Sequence, residues 1–250
     1  MTRSGSFEDH FSEIAAAYAA HRPSYPAALV DFLARLAPET RLAWDAGCGS
    51  GQLSVLLAGP FDRVVATDAS AEQIARAASH RKVEYRCAPA GVSGLPARAV
   101  DLATAAQAAH WFDLPAYYAE VRRVTRPGGI VALISYGIVM AGADLDAVIR
   151  PFYRDVLASY WPPERRHVDD GYGGLSFPFA ELDAPALEIR LDWRLADLAG
   201  YVGTWSAVWA LEQAEGPGPF AAFRRALAGV WGSAAVRTVR WPLALRVGRV

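Results

Sequence analysis

The sequence predicts an α/β protein built on a doubly wound, mostly parallel sheet, and three observations carry that prediction. From residue 41 onward, short apolar runs rich in β-branched residues alternate with turn signals and then with helical periods, which is the rhythm of βαβ units. The first run leads into a glycine-rich loop that opens a helix, and the second ends in an acidic residue, Asp68. The length, 250 residues, is enough to bury one sizeable core without disulfide or metal staples.

The expected strands are 42–46, 63–67, 83–87, 100–105 and 130–136, with helices at 52–57, 71–79 and 115–124 between them. A final pair of runs, 187–195 and 236–247, alternates apolar residues with Arg and Asp, as half-exposed or antiparallel strands do. About seven strands result, mostly parallel with the last antiparallel. Ahead of the sheet, 7–20 and 26–37 read as two helices joined by a proline-bent segment. Beyond it, 142–160, 196–213 and 220–230 read as helices, and the Pro162-Pro163 pair and the Gly171 to Gly174 cluster mark a long loop.

Composition excludes several function classes. Hydrophobic residues make up 53% and charged residues 20%, and the net charge is -1, which fits neither a disordered chain nor a polybasic nucleic-acid arm. Of 25 basic residues only Lys82 is a lysine; a GC-rich coding bias accounts for that without implying a partner. Cys48 and Cys87, the two cysteines, are too few for a disulfide framework or a cysteine zinc site, and the five histidines lack paired ligand spacing, so no metal is expected. The first thirty residues lack a basic start followed by an apolar stretch, and no apolar run reaches the roughly 20 residues that a bilayer needs. A soluble, cytoplasmic protein is expected, with its oligomeric state open.

The strongest local signal is Asp45-Ala46-Gly47-Cys48-Gly49-Ser50-Gly51-Gln52. Alternating glycines let backbone approach a ligand closely and expose N–H groups at a helix start. Dinucleotides and S-adenosylmethionine are both bound this way at the carboxyl edge of an open sheet. A dinucleotide fingerprint places its third glycine one residue later than Gly51, and Asp45 repels a pyrophosphate but can pair with an α-ammonium group. Both features favour the amino-acid-bearing cofactor. Asp68 suits the two ribose hydroxyls of either. The competing reading leaves Asp45 as a surface charge and the glycines as a tight turn.

These residues, together with His10-Phe11 to Tyr18, Arg22-Pro23-Ser24-Tyr25-Pro26, Val65 to Ser70 with Gln73-Ile74, Gln107 to Asp113, Glu120 to Val124 and Arg126-Pro127-Gly128-Gly129, resemble the class I S-adenosylmethionine-dependent methyltransferases of the type 11 group. Within that group the similarity is to the trans-aconitate methyltransferase-like branch. The resemblance runs through about the first 137 residues and is looser beyond, mainly around Gly203 to Ser206. It implies a Rossmann-like single domain with an N-terminal helical lid (1–38), a cofactor-binding core (39–137) and a substrate cap with closing strands (138–250). It also implies that Asp45, Gly47 and Gly49, with Cys48 and Gly51 in the same loop, surround the methionine moiety, that Asp68 takes the ribose with Ala69 beside the adenine, and that Tyr18 and Arg22 close over the cofactor. The acidic residue that such proteins place after the third strand is absent from Cys87-Ala88-Pro89-Ala90-Gly91.

Gln107, His110 and Trp111 follow the fourth strand at the edge where the methyl group should point. In related carboxylate methyltransferases a tryptophan at this place helps to hold the acceptor, so Trp111 and His110 are the expected acceptor residues and Gln107 an expected cofactor neighbour; core packing is the competing reading of Trp111 and Phe112. A carboxylate acceptor needs no base, whereas a phenol, alcohol or amine would draw on His110, whose ordinary pKa lies near neutrality. Tyr153, Tyr160, Trp161, Arg165, Arg166, His167, Tyr172, Trp205 and Trp209 are candidate cap residues that equally suit a packed aromatic core, and Cys48 reads as packing. Methyl transfer to a small molecule is the expectation, with O-methylation foremost, C- or N-methylation next, and a non-methylating cofactor-binding protein as the rival class.

Overall fold

The computed structural model describes residues 23–250. In chain order the main elements are α1 (Ala27–Leu36), β1 (Leu42–Ala46), α2 (Gln52–Leu57), β2 (Arg63–Asp68), α3 (Ala71–Ala75), β3 (Val83–Cys87), β4 (Val100–Ala106), α4 (Leu114–Val124) and β5 (Thr125–Tyr136). They continue with α5 (Ala143–Pro151), α6 (Arg165–Asp169), β6 (Ala180–Leu182), β7 (Glu188–Trp193), α7 (Leu195–Gly203), α8 (Ser206–Glu215), α9 (Gly218–Trp231) and β8 (Arg237–Arg249). The strand order is β3-β2-β1-β4-β5-β8-β6, with β7 paired to β8. Strands β1 to β5 run parallel, and β8 returns antiparallel to β5. This is the Rossmann-like doubly wound sheet that the sequence predicts, with β6 as an additional short strand.

The chain divides into two compact units. The sheet unit holds Ser24–Gly137, Glu164–Ile189 and Pro242–Val250. Its core gathers on Trp44, whose indole N–H donates to Thr67 Oγ1 at 3.0 Å and whose ring packs 5.7 Å from Tyr117. β4 is buried continuously from Val100 to Ala105, as a central strand covered on both faces must be. At the amino edge of the sheet the buried Asp101 carboxylate accepts the N–H groups of Arg41 and Leu42 at 3.0 and 2.9 Å and pairs with Arg126. That carboxylate sets where β1 begins beside β4. Lys82 Nζ reaches the carbonyls of Ala58 and Phe61 at 3.0 and 2.9 Å, placing a cation on the turn that follows α2, starting from its capping residue Ala58.

The helical unit includes Ile138–Pro163 and Arg190–Trp241. Trp241 is fully buried between Tyr201 and Trp193, with its indole N–H on the Tyr201 hydroxyl at 3.0 Å. Phe152 and Phe223 stack at 4.2 Å. The helix expected over 142–160 stops at Pro151, which lacks the N–H needed to continue it, and gives way to a π-helical turn, Phe152–Val156. The helix expected over 196–213 is two helices, because Thr204 Oγ1 bonds back to the Tyr201 carbonyl at 2.6 Å and Trp205 is extended, a local alternative to helical bonding.

Glu120 on α4 is 7% exposed and accepts Ser93 N and Ser93 Oγ at 2.8 and 2.5 Å while pairing with Arg123. The Arg123 guanidinium, followed by the Ser93 donors, holds its carboxyl down at about 2 against the opposing effect of burial. A depressed pKa contributes stability that is present above pH 4.5 and lost as pH falls toward 2. Glu120→Gln is expected to cost about 1–3 kcal/mol at pH 7, and denaturant titrations of both proteins should show the difference shrinking across that acid window.

Candidate active site

Gly47, Gly49 and Gly51 all sit in the left-handed region, at φ of 65°, 54° and 86°. Two of the three are required by their neighbours. A Cβ on Gly47 would lie 2.5 Å from Ala108 Cβ, and one on Gly51 would lie 2.1 Å from the Tyr85 hydroxyl. Gly49 differs, for a Cβ there would meet only Gln73 Oε1 at 3.9 Å, so the space above it is open. The loop is latched to β2 twice: Gly49 N–H donates to Asp68 Oδ2 at 2.8 Å, and Cys48 N–H to the Thr67 carbonyl at 3.0 Å. Asp68 Oδ1 accepts Ser70 N–H at 2.8 Å. Each Asp68 oxygen keeps a lone pair for a further donor, and Ala69 beside it is exposed.

Asp45 is only 1% exposed, and its two oxygens accept Ser54 Oγ–H at 2.6 Å and Thr104 Oγ1–H at 2.8 Å. Burial pushes its pKa up to about 6 against the pull of those hydroxyls, and the Asp68 charge adds to the rise. Its contacts are therefore with α2 and β4. The Cys48 thiol is pushed up by burial and by the charges of Asp45 and Asp68, which leaves it protonated and unreactive.

At the end of β4, Gln107 adopts a left-handed backbone (φ 53°), with its N–H on the Ile134 carbonyl and Nε2 on the Tyr136 carbonyl, each at 2.8 Å. The next turn separates the two aromatic residues that sequence alone left ambiguous. Phe112 packs inward, 5.0 Å from Tyr117, whereas Trp111 is 59% exposed. His110 lies between these fates, 4.8 Å from the Trp111 ring, with Nδ1 2.9 Å from the hydroxyl of Tyr172. Tyr172 is fully buried and left-handed (φ 65°). Backbone N–H groups of 108–110 face its oxygen, while burial, the larger effect, keeps its phenol protonated. We therefore assign the Tyr172 proton to the bond with His110 Nδ1, which leaves Nε2 carrying the imidazole proton. Burial, then Arg165 and His167, lower the His110 pKa to about 4. Among the cap candidates, Tyr153, Trp161 and Trp205 pack on one another within the helical unit, Tyr160 bonds Glu215, and Trp209 is exposed. Tyr18 and Arg22 lie outside the described residues.

A family model described as a methyltransferase domain matches residues 44–133. A protein of Dictyostelium discoideum, provisionally named a methyltransferase, is 36% identical over 204 residues, covering 80% of this chain and 78% of its own. The chain belongs to the class I S-adenosylmethionine-dependent methyltransferases. A solved structure from Anaeromyxobacter dehalogenans, provisionally titled a type II methyltransferase, superposes with a TM-score of 0.87 at 48% identity, covering 91% of this chain and 97% of that one. A 26% identical relative in Saccharomyces cerevisiae carries an S-adenosylmethionine-dependent methyltransferase name and covers 61% of this chain and 57% of its own length.

S-adenosylmethionine fits this methyltransferase loop in two respects that the structure itself provides. The open face above Gly49 admits a ligand against backbone, and the half-buried Asp68 keeps acceptor capacity at the end of β2. In the segment 87–91, which lacks the acid that the resemblance leads one to expect after β3, Cys87 is exposed with Sγ 3.6 Å from the Ala69 carbonyl. Ser54, Thr104 and Tyr85 are the site-forming residues that motif reading missed, and Tyr172, one of the cap candidates, packs instead in the sheet unit beside His110.

Gly51→Ala is expected to lower stability by about 1–3 kcal/mol, measured by thermal unfolding, because the new Cβ meets Tyr85 in a left-handed backbone. Histidine NMR titration should place His110 near pH 4, and Tyr172→Phe, which removes the hydroxyl from Nδ1, should change both that midpoint and the ring's tautomer shifts.

Proposed function

We propose that the protein transfers a methyl group to a carboxylate oxygen of a small-molecule acceptor. The observation that carries this reading is the 2.9 Å contact between His110 Nδ1 and the Tyr172 hydroxyl: it occupies the ring's acceptor nitrogen and leaves Nε2 as a donor, and burial, which lowers the ring's pKa to about 4, makes it a weak base for a phenol of pKa about 10. A carboxylate is already ionised and asks only to be held. His110 Nε2–H, with Nδ1 engaged by Tyr172, is a fixed donor for one carboxylate oxygen, and the exposed Trp111 beside it offers an indole N–H.

The cofactor, when bound, supplies an electrophilic methyl carbon on a sulfonium. Asp68 would hold its ribose, Ala69 would flank the adenine, and the Gly47 to Gly51 backbone would lie along the methionine moiety, with Gln107 nearby. Tyr18 and Arg22 are proposed to close over it. Asp45, through Ser54 and Thr104, keeps the loop in register. His110 and Trp111 would hold and orient the acceptor carboxylate, and alignment alone can lower a bimolecular barrier by about 7–11 kcal/mol. A carboxylate would have no proton to give up, so these side chains would have only to position it. This acceptor class agrees with the trans-aconitate methyltransferase-like branch that the sequence resembles.

The test is a radiolabelled methyl-transfer assay across di- and tricarboxylic acids, phenols and amines. Base-labile methyl esters are expected, with rates nearly flat from pH 7 to 8, which is above the Asp45 pKa of about 6 and where neither the acceptor carboxylate nor His110 titrates. His110→Ala should lower kcat/KM about tenfold or more, and His110→Gln, which restores a donor, should recover part of it. Turnover confined to phenols or amines and rising with pH would sink the proposal.

A further inference from the structure

A second cleft lies at the opposite edge of the sheet, within the same unit. The glycine loop follows the carboxyl end of β1, whereas this cleft opens where Val100 and Thr125 pair at the amino ends of β4 and β5. It has a volume of about 410 Å³ and brings together Arg98, Arg122, Arg126 and Arg249 from three separate stretches of chain. In a protein whose net charge is -1, that is a concentrated positive field.

Among the described residues, three of the four charges have no side-chain carboxylate against them. Arg126 is matched by Glu39 and Asp101. The other three have no such partner: Arg122 donates to the Pro178 carbonyl at 2.7 Å and Arg249 to the Gly128 carbonyl at 2.8 Å. A guanidinium has five N–H donors, so most remain available. Three such cations facing one cleft repel one another, and an anion between them reverses the sign of that interaction.

Two further features make this a formed site. Thr125 lines the cleft at 2% exposure, yet its Oγ1 has no hydrogen-bond partner, an uncommon condition for a buried hydroxyl. The Arg122 guanidinium is also oriented, stacked 4.7 Å above the Phe179 ring, and that ring gives the cleft an apolar wall. Planar forks around a hydroxyl match the three peripheral oxygens of a phosphoryl group better than the two of a carboxylate.

We propose that this cleft binds a small organic phosphate, with its phosphoryl group among Arg98, Arg122, Arg249 and Thr125 and its apolar part against Phe179. The ligand would occupy the protein independently of the cofactor, from the other edge of the sheet.

Calorimetric titration of the full chain at low salt with phenyl phosphate, inorganic phosphate and benzoate tests this. Phenyl phosphate is expected to bind one per chain, at least tenfold tighter than either of the others, and without competition from S-adenosylhomocysteine. Arg98→Gln, at a side chain with no described contact, and Thr125→Val, which removes a hydroxyl with no protein partner, should each weaken phenyl phosphate several-fold or more. Both variants should keep the wild-type melting temperature and S-adenosylhomocysteine affinity. No binding to the wild type, displacement by S-adenosylhomocysteine, equal affinity for benzoate, or variants that bind as the wild type does would each overturn the proposal.

Discussion

The buried carboxylate of Asp45 is the constraint on which the cofactor edge depends. One side chain at the end of β1 takes a hydroxyl from α2 and another from β4, so three elements meet at a single acceptor. Removing a carboxylate from water is costly, and the fold meets that cost with two hydroxyl donors in place of a cation. A cation there would fill space beside the loop; hydroxyls do not. The same economy of volume recurs at Asp68, which is satisfied by two backbone N–H groups and so remains approachable from outside. Between these two acids the glycine loop has little freedom, and its left-handed residues are the conformations left once both latches close.

Across the same sheet edge, the proposed hold on the acceptor rests on a different device. His110 and Tyr172 come from distant stretches, and the strain of a left-handed tyrosine is carried by full burial. Burial does two things at once: it keeps the phenol protonated and the imidazole neutral. The pair is thereby a donor array of fixed polarity. Binding of the cofactor belongs to the fold family, whereas the acceptor is set by such local choices.

What was legible in the sequence was local. The loop, the strands at 42–46 and 83–87 and the helix at 52–57 match the structure, because glycine spacing, β-branched runs and helical period act over a few residues. The partners of Asp45 were not legible, since Ser54 and Thr104 lie 9 and 59 positions away and carry no motif of their own. Tyr172, 62 positions from His110, stood among several aromatic candidates with nothing to single it out. Trp111 and Phe112 are adjacent and chemically alike, yet a single short turn sends one to solvent and the other to the core. The break at Thr204 went unread because a side-chain bond to the preceding turn leaves the apolar period intact.

Lys82 has a practical consequence. It is the chain's one lysine, and its ammonium sits on carbonyls of the turn that follows α2. Amine-directed chemistry on lysine side chains, whether acylation, biotinylation or surface coupling, can therefore reach this protein at a single address. Acylation there removes the positive charge and, with it, the donor on the turn after the helix leading out of the glycine loop. Immobilisation through lysine would thus orient every molecule alike while loosening the element behind its cofactor edge, so a tether through a terminal tag is the better choice for binding measurements.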